Sequence, residues 1–161
     1  AREHRVPAFV IPPESPRARL SIEVESRFRD RLREHQVDWV VLAGFFRIVG
    51  EPLLSAFPDH ILNIHPSLLP SFPGLHAQRQ ALEHGARVAG CTVHLVNAAV
   101  DDGAILGQSA VPVLENDDES TLAARILVEE HRLLVEVLDR IARNGFRREG
   151  RRIWWNPEGH S

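Results

Sequence analysis

Lysine, methionine and tyrosine are missing from these 161 residues, and cysteine occurs once. A lone Cys91 leaves no internal disulfide and suits a reducing cytoplasm. All 19 basic residues are Arg, a bias of genomic composition more than of chemistry. There is no basic excess either: a net charge of −3 argues against a nucleic-acid surface. No apolar run approaches the length of a membrane span, and no signal peptide is visible. The chain opens at Ala1 and residues 1–5 read as the end of a helix, so the expectation is a product whose upstream part has been removed or left out. The 43% hydrophobic and 25% charged content is that of an ordinary globular protein. The length suits one domain, 1–161, with a sizeable core. The chain lacks Gly-x-Gly-x-x-Gly and Gly-x-x-x-x-Gly-Lys. Its nine His residues show neither His-Glu-x-x-His nor Cys-pair spacing, so no metal site is expected. Ser67 has no nucleophile-elbow context.

What remains is a pattern of alternating elements. Ala8-Phe9-Val10-Ile11, ended by Pro12-Pro13, reads as a buried strand. Residues 20–35 carry apolar side chains at 20, 24, 28 and 32, a helical period, with Arg and Glu on the remaining face at ion-pair spacings. Trp39-Val40-Val41-Leu42-Ala43-Gly44 suits a parallel strand buried on both faces. Residues 51–57 read as a short helix with Pro52 in its first turn. Ile61-Leu62-Asn63-Ile64 is the next strand. This alternation predicts an α/β fold, an open, mostly parallel twisted sheet with flanking helices. Ligands of such sheets gather beyond the carboxyl ends of the strands. Gly44-Phe45-Phe46-Arg47 and Asn63-Ile64-His65 should therefore share one edge. A rigid proline loop follows over residues 66–74, then a helix at 76–84. Strands are expected at 88–96 and 105–113, with an acidic loop over 97–103 between them. The longest helix spans 119–143, capped by Asp117 or Asp118. Residues 146–155 form a terminal hairpin, in which Trp154-Trp155 reads as hairpin packing or a subunit contact, compatible with a homodimer.

The chemistry concentrates in Asn63-Ile64-His65-Pro66-Ser67-Leu68-Leu69-Pro70 and in Asp101. Alone, His65 is explained by a hydrogen bond within its loop. Asn63 lies two residues earlier, so both side chains leave one face of the strand. An unpaired buried amide costs roughly 1–3 kcal/mol, and a substrate oxygen could partner it. Asp101 and Asp102 precede Gly103, a common turn sequence. A carboxylate beside His65 would favour the charged ring, which stabilises an oxyanion or donates a proton. An amide, an imidazole and a carboxylate of this kind equip a site for acyl transfer to an amine. Glu129-Glu130-His131, on the long helix, reads by itself as solvated surface.

The stretch from Asn63 through Pro73-Gly74-Leu75-His76 resembles the folate-dependent glycinamide ribonucleotide formyltransferases. So do Val41-Leu42-Ala43-Gly44-Phe45-Phe46-Arg47-Ile48, Thr92-Val93-His94-Leu95-Val96 with Asp101, and Glu129-Glu130-His131. The likeness runs from about residue 8 to 155, and the Asn-x-His-Pro-Ser-Leu-Leu-Pro segment is shared by the wider 10-formyltetrahydrofolate transferases and hydrolases. It implies a Rossmann-like formyltransferase fold and transfer of a formyl group from 10-formyltetrahydrofolate to glycinamide ribonucleotide in purine biosynthesis. It implies the catalytic trio Asn63, His65 and Asp101. It implies a folate slot formed by Phe46, Arg47, Ile48 and Val49 with Val96, Asn97, Ala98, Ala99, Val100 and Asp101. Pro66 and Glu130 would meet the ribonucleotide. Two features depart from the family. Asp102 stands where Gly is usual, and the first strand, phosphate loop and helix of the family lie outside this chain. A formyltetrahydrofolate hydrolase, an amino-sugar formyltransferase and a folate-binding fragment without turnover are the alternatives.

Overall fold

The computed structural model describes residues 1–12 and 19–157. Helix α1 (Ile22–Glu34) begins at Ser21, whose hydroxyl accepts from the N–H of Val24. Strand β1 (Val40–Leu42) leads to α2 (Glu51–Leu54), with Pro52 in its first turn, and β2 (Ile61–His65) follows. Then come α3 (Ala77–Glu83), β3 (Val88–Leu95), β4 (Ile105–Pro112), α4 (Glu119–Asn144), β5 (Phe146–Glu149) and β6 (Arg152–Trp155).

Strands β1 to β4 make one open sheet in that order, and β5–β6 pair as a separate hairpin. β1 and β2 run parallel, from Val40↔Ile61 to Leu42↔Asn63, so their carboxyl ends share an edge as expected. β2–β3 and β3–β4 are antiparallel. The sheet is thus mixed, not mostly parallel. Residues 96–104 between β3 and β4 are too few for the crossover that a parallel pair requires.

Two further expectations need correction. Residues 8–11 form no strand: Val10 is 90% exposed, and Phe9 lies against His35 with the Arg31 guanidinium 4.5 Å from its ring. β1 is an end strand, and Val41 on it is 38% exposed, so it is not covered on both faces.

The main core lies between the sheet and α4. Leu122, Ile126, Leu133 and Val137 of α4 pack with Val93, Leu95, Leu106 and Val111. Each such aliphatic side chain contributes roughly 1.5–3 kcal/mol of burial. Asp118 caps α4: its carboxylate accepts from the Thr121 N–H while the Thr121 hydroxyl accepts from the Asp118 N–H. Asp117 instead pairs with Arg125 and accepts from the Leu114 N–H. Cys91, in the middle of β3, is fully buried; burial and then Glu130 push its thiol up to about 11. A second cluster of Val49, Leu53, Phe57 and Ile61 rests against Phe28 and Leu32 of α1. It fixes the segment between β1 and α2. In the hairpin, Trp155 meets Phe146 edge-on and lies under Arg140.

Candidate active site

The shared edge of β1 and β2 opens into a cavity of about 1030 Å³. Asn63, His65 and Asp101 all line it. Asn63 and His65 stand at the end of β2, two residues apart, and face the same way. Asp101 arrives from the β3–β4 loop in a left-handed backbone conformation, φ +51°. Asp and Asn tolerate that region better than other side chains. The loop is pinned behind it by Gly103, where any Cβ would fall 1.6 Å from the Leu95 carbonyl oxygen.

Oδ2 of Asp101 lies 3.4 Å from His65 Nδ1 and accepts from the Gly74 N–H at 2.8 Å. The Nε2–H of His65 donates to the Phe72 carbonyl at 3.0 Å. Both ring nitrogens of His65 thus face acceptors, the arrangement in which a doubly protonated ring donates on both sides. Burial disfavours charge on Asp101, but His94, the Gly74 N–H and His65 outweigh it and hold the carboxyl below its ordinary value.

A fourth residue completes the group. His94, 2% exposed, sits opposite Asn63 in the β2–β3 register. Its Nδ1–H donates to the Leu95 carbonyl at 2.9 Å, which leaves Nε2 to accept from the Asn63 amide at 3.2 Å. The same Nε2 is 3.6 Å from Asp101 Oδ1. The neutral ring accepts from the amide, and only a ring protonated at Nε2 donates to the carboxylate. Sequence reasoning placed His94 in a motif without giving it a role. The signal available was a His within an otherwise apolar strand, which needs a partner; that the partner is Asn63 follows only from the antiparallel register.

Most of the residues expected to form the folate slot line this cavity. Phe46, Arg47, Ile48 and Val49 line one wall of the cavity, and Val96, Asn97, Ala99, Val100 and Asp101 line another. Ala98 does not line it. Pro66 and Glu130 line the cavity too. Glu130 is half-buried rather than solvated, and burial raises its carboxyl above the ordinary value against the pull of His131. Glu129 is bound by the Ser109 hydroxyl and Arg132. Asp102 does not line the cavity and accepts from Arg151 at 2.5 Å, so the carboxylate beside His65 is Asp101.

Residues 1–138 match the formyl transferase family model. The phosphoribosylglycinamide formyltransferase of Mycobacterium tuberculosis is 52% identical over 73% of this chain and 54% of its own length. The chloroplastic enzyme of the same name from Arabidopsis thaliana is 42% identical over 99% of this chain and 53% of its own. The crystal structure of glycinamide ribonucleotide transformylase 1 from Symbiobacterium toebii superposes with a TM-score of 0.83 at 53% identity, over 89% of this chain and 68% of that one. The chain spans about half the length of these curated relatives.

Proposed function

We propose a reaction from one premise: the chain belongs to the formyl transferase family. It moves the formyl group of a 10-formyl reduced folate onto the amine of glycinamide ribonucleotide. The observation that carries this reading is the meeting of Asn63, His65 and Asp101 in one cavity, with the carboxylate 3.4 Å from the imidazole.

The cavity suits both substrates. Apolar Phe46, Ile48, Val49, Val96 and Val100 offer a slot for a flat heterocycle, and the flanking loops offer backbone hydrogen bonds. Pro66 and Glu130 line the same cavity, where they would meet the ribonucleotide. The amine attacks the formyl carbon, and negative charge develops on the formyl oxygen. Asn63, its amide oriented by His94, donates to that oxygen. Cationic His65 stabilises the same charge, its ring held between Phe72 and Asp101. The bond from carbon to the folate N10 then breaks, and the proton lost by the amine passes by way of Asp101 to N10. Donors fixed in place before reaction need no reorganisation, and each is typically worth on the order of 100-fold or more in rate.

The test is formyl transfer by the purified chain, given a 10-formyl folate with and without glycinamide ribonucleotide. Formylated product that depends on the ribonucleotide supports the reading. Deformylation without the amine points to a hydrolase. Folate binding without turnover leaves the chain as the folate-binding part of a divided site.

A further inference from the structure

Glu25 lies outside the cavity and outside the chemistry above, yet it is only 1% exposed. Its Oε2 has no hydrogen-bond partner among the described residues. A buried, half-paired carboxylate is unfavourable, and a position selected for stability alone would hold an apolar residue, as the adjacent buried Val24 does. The bond this carboxylate does make runs to the cavity wall. Oε1 accepts from the N–H of Gly50 at 2.6 Å. Gly50 is buried, directly follows Val49 and is the N-cap of α2. A Cβ at position 50 would lie 2.8 Å from Oε2 and 2.9 Å from Oε1. With φ at −113°, it is this close approach and not backbone freedom that calls for glycine. Two residues earlier, Ile48 bridges to Arg19, just ahead of α1. The wall formed by residues 46–49 is thus anchored to the α1 side at Ile48 and immediately beyond Val49.

We propose that Glu25 is a positioning residue for folate recognition, its buried carboxylate clamping Gly50 to α1 and so holding the 46–49 wall in the shape that receives the flat heterocycle. This rests on the function proposed above. Burial, opposed by the Gly50 N–H and by Arg19, raises the Glu25 carboxyl above its ordinary value. Its contribution to folding is therefore most favourable below the ordinary glutamate range and declines as pH rises through the raised value. Stability given up for a fixed geometry is the pattern of a functional residue.

Two variants of the whole chain test this. Glu25→Gln keeps an acceptor for Gly50 but removes the charge, and Gly50→Ala keeps the charge but displaces it. At neutral pH Glu25→Gln should melt no lower than the parent, and on the order of 2–4 °C higher if the orphan oxygen is the dominant cost. Its amides at 47–50 should exchange with deuterium about fivefold to tenfold faster, as expected when a charge-assisted bond becomes a neutral one. The dissociation constant of a non-transferable 10-substituted folate analogue and the KM for folate should rise by a similar factor, with kcat within twofold. Gly50→Ala should shift exchange and affinity in the same direction, and the double variant should add little. A Glu25→Gln chain that melts lower, with exchange and folate affinity unchanged, would reduce Glu25 to a structural cap and overturn the proposal. Exchange needs no folate, so a parent chain that binds none would remove the function proposed above, while unchanged exchange would remove the clamp itself.

Discussion

Replacing Asp101 by Asn isolates the charge of the trio from its geometry. Asn accepts the left-handed backbone at this position, and its carbonyl oxygen can still take the Gly74 N–H. The fold and the loop should survive. What is lost is a negative charge 3.4 Å from His65 Nδ1. At that separation two unit charges interact by about 5 kcal/mol at an effective dielectric constant of about 20. The Asp101 side chain is 11% exposed, so solvent removes only part of this. If roughly 3–4 kcal/mol of it acts on the transition state, kcat falls on the order of 10²- to 10³-fold. Folate affinity should stay within a few-fold of the parent, because the slot is built mainly from apolar side chains. Steady-state formyl transfer measures the first quantity, and fluorescence titration with a folate analogue measures the second. A variant within fivefold of the parent kcat would show that the His65–Asp101 pair does not carry the reaction.

Other outcomes follow from the same geometry. The Asp101 carboxyl is held below its ordinary value, so its contribution to stability is present above about pH 4 and is lost as pH falls through the depressed value. Acid unfolding of Asp101→Asn should lack that part of the pH dependence. His94→Leu removes the acceptor that orients Asn63, and kcat should drop on the order of tenfold to 100-fold with KM for folate little changed. Equal losses in both constants would instead indicate a distorted slot. Gly103→Ala forces a methyl onto the Leu95 carbonyl, so soluble yield and Tm should fall sharply and the β3–β4 loop should lose exchange protection; a Tm within 2 °C of the parent, by the usual scaling of Tm with free energy, would contradict the packing described.

Much of the site was legible because it rests on short-range rules. Asn63 and His65 are two apart in a strand, and that alone puts them on one face. The carboxyl ends of β1 and β2 fall together because the pair is parallel. Asp118 announces the start of α4 through a Thr three residues on. Strand direction is different: β3 is buried along nearly its whole length whichever way it points, and only the shortness of the connection to β4 hints at antiparallel pairing. Residues 8–11 show the ambiguity of brief apolar runs, since Phe9 finds its contacts in Arg31 and His35 rather than in a sheet. The bonds from Glu25 to Gly50 and from Asp102 to Arg151 join residues 25 and 49 positions apart. No local pattern marks such pairs.

The one sulfur atom of this protein has a use of its own. Methionine is missing and Cys91 sits fully buried in β3, one strand position from the Thr92 that pairs with His65. The folded chain therefore presents no thioether to oxidants and keeps its only thiol from alkylating reagents. Opening of the sheet exposes that thiol on β3, beside the strand that carries Asn63 and His65. A single alkylation at Cys91 thus works as a native clock, counting how often the framework behind the active site comes apart without any label having been introduced.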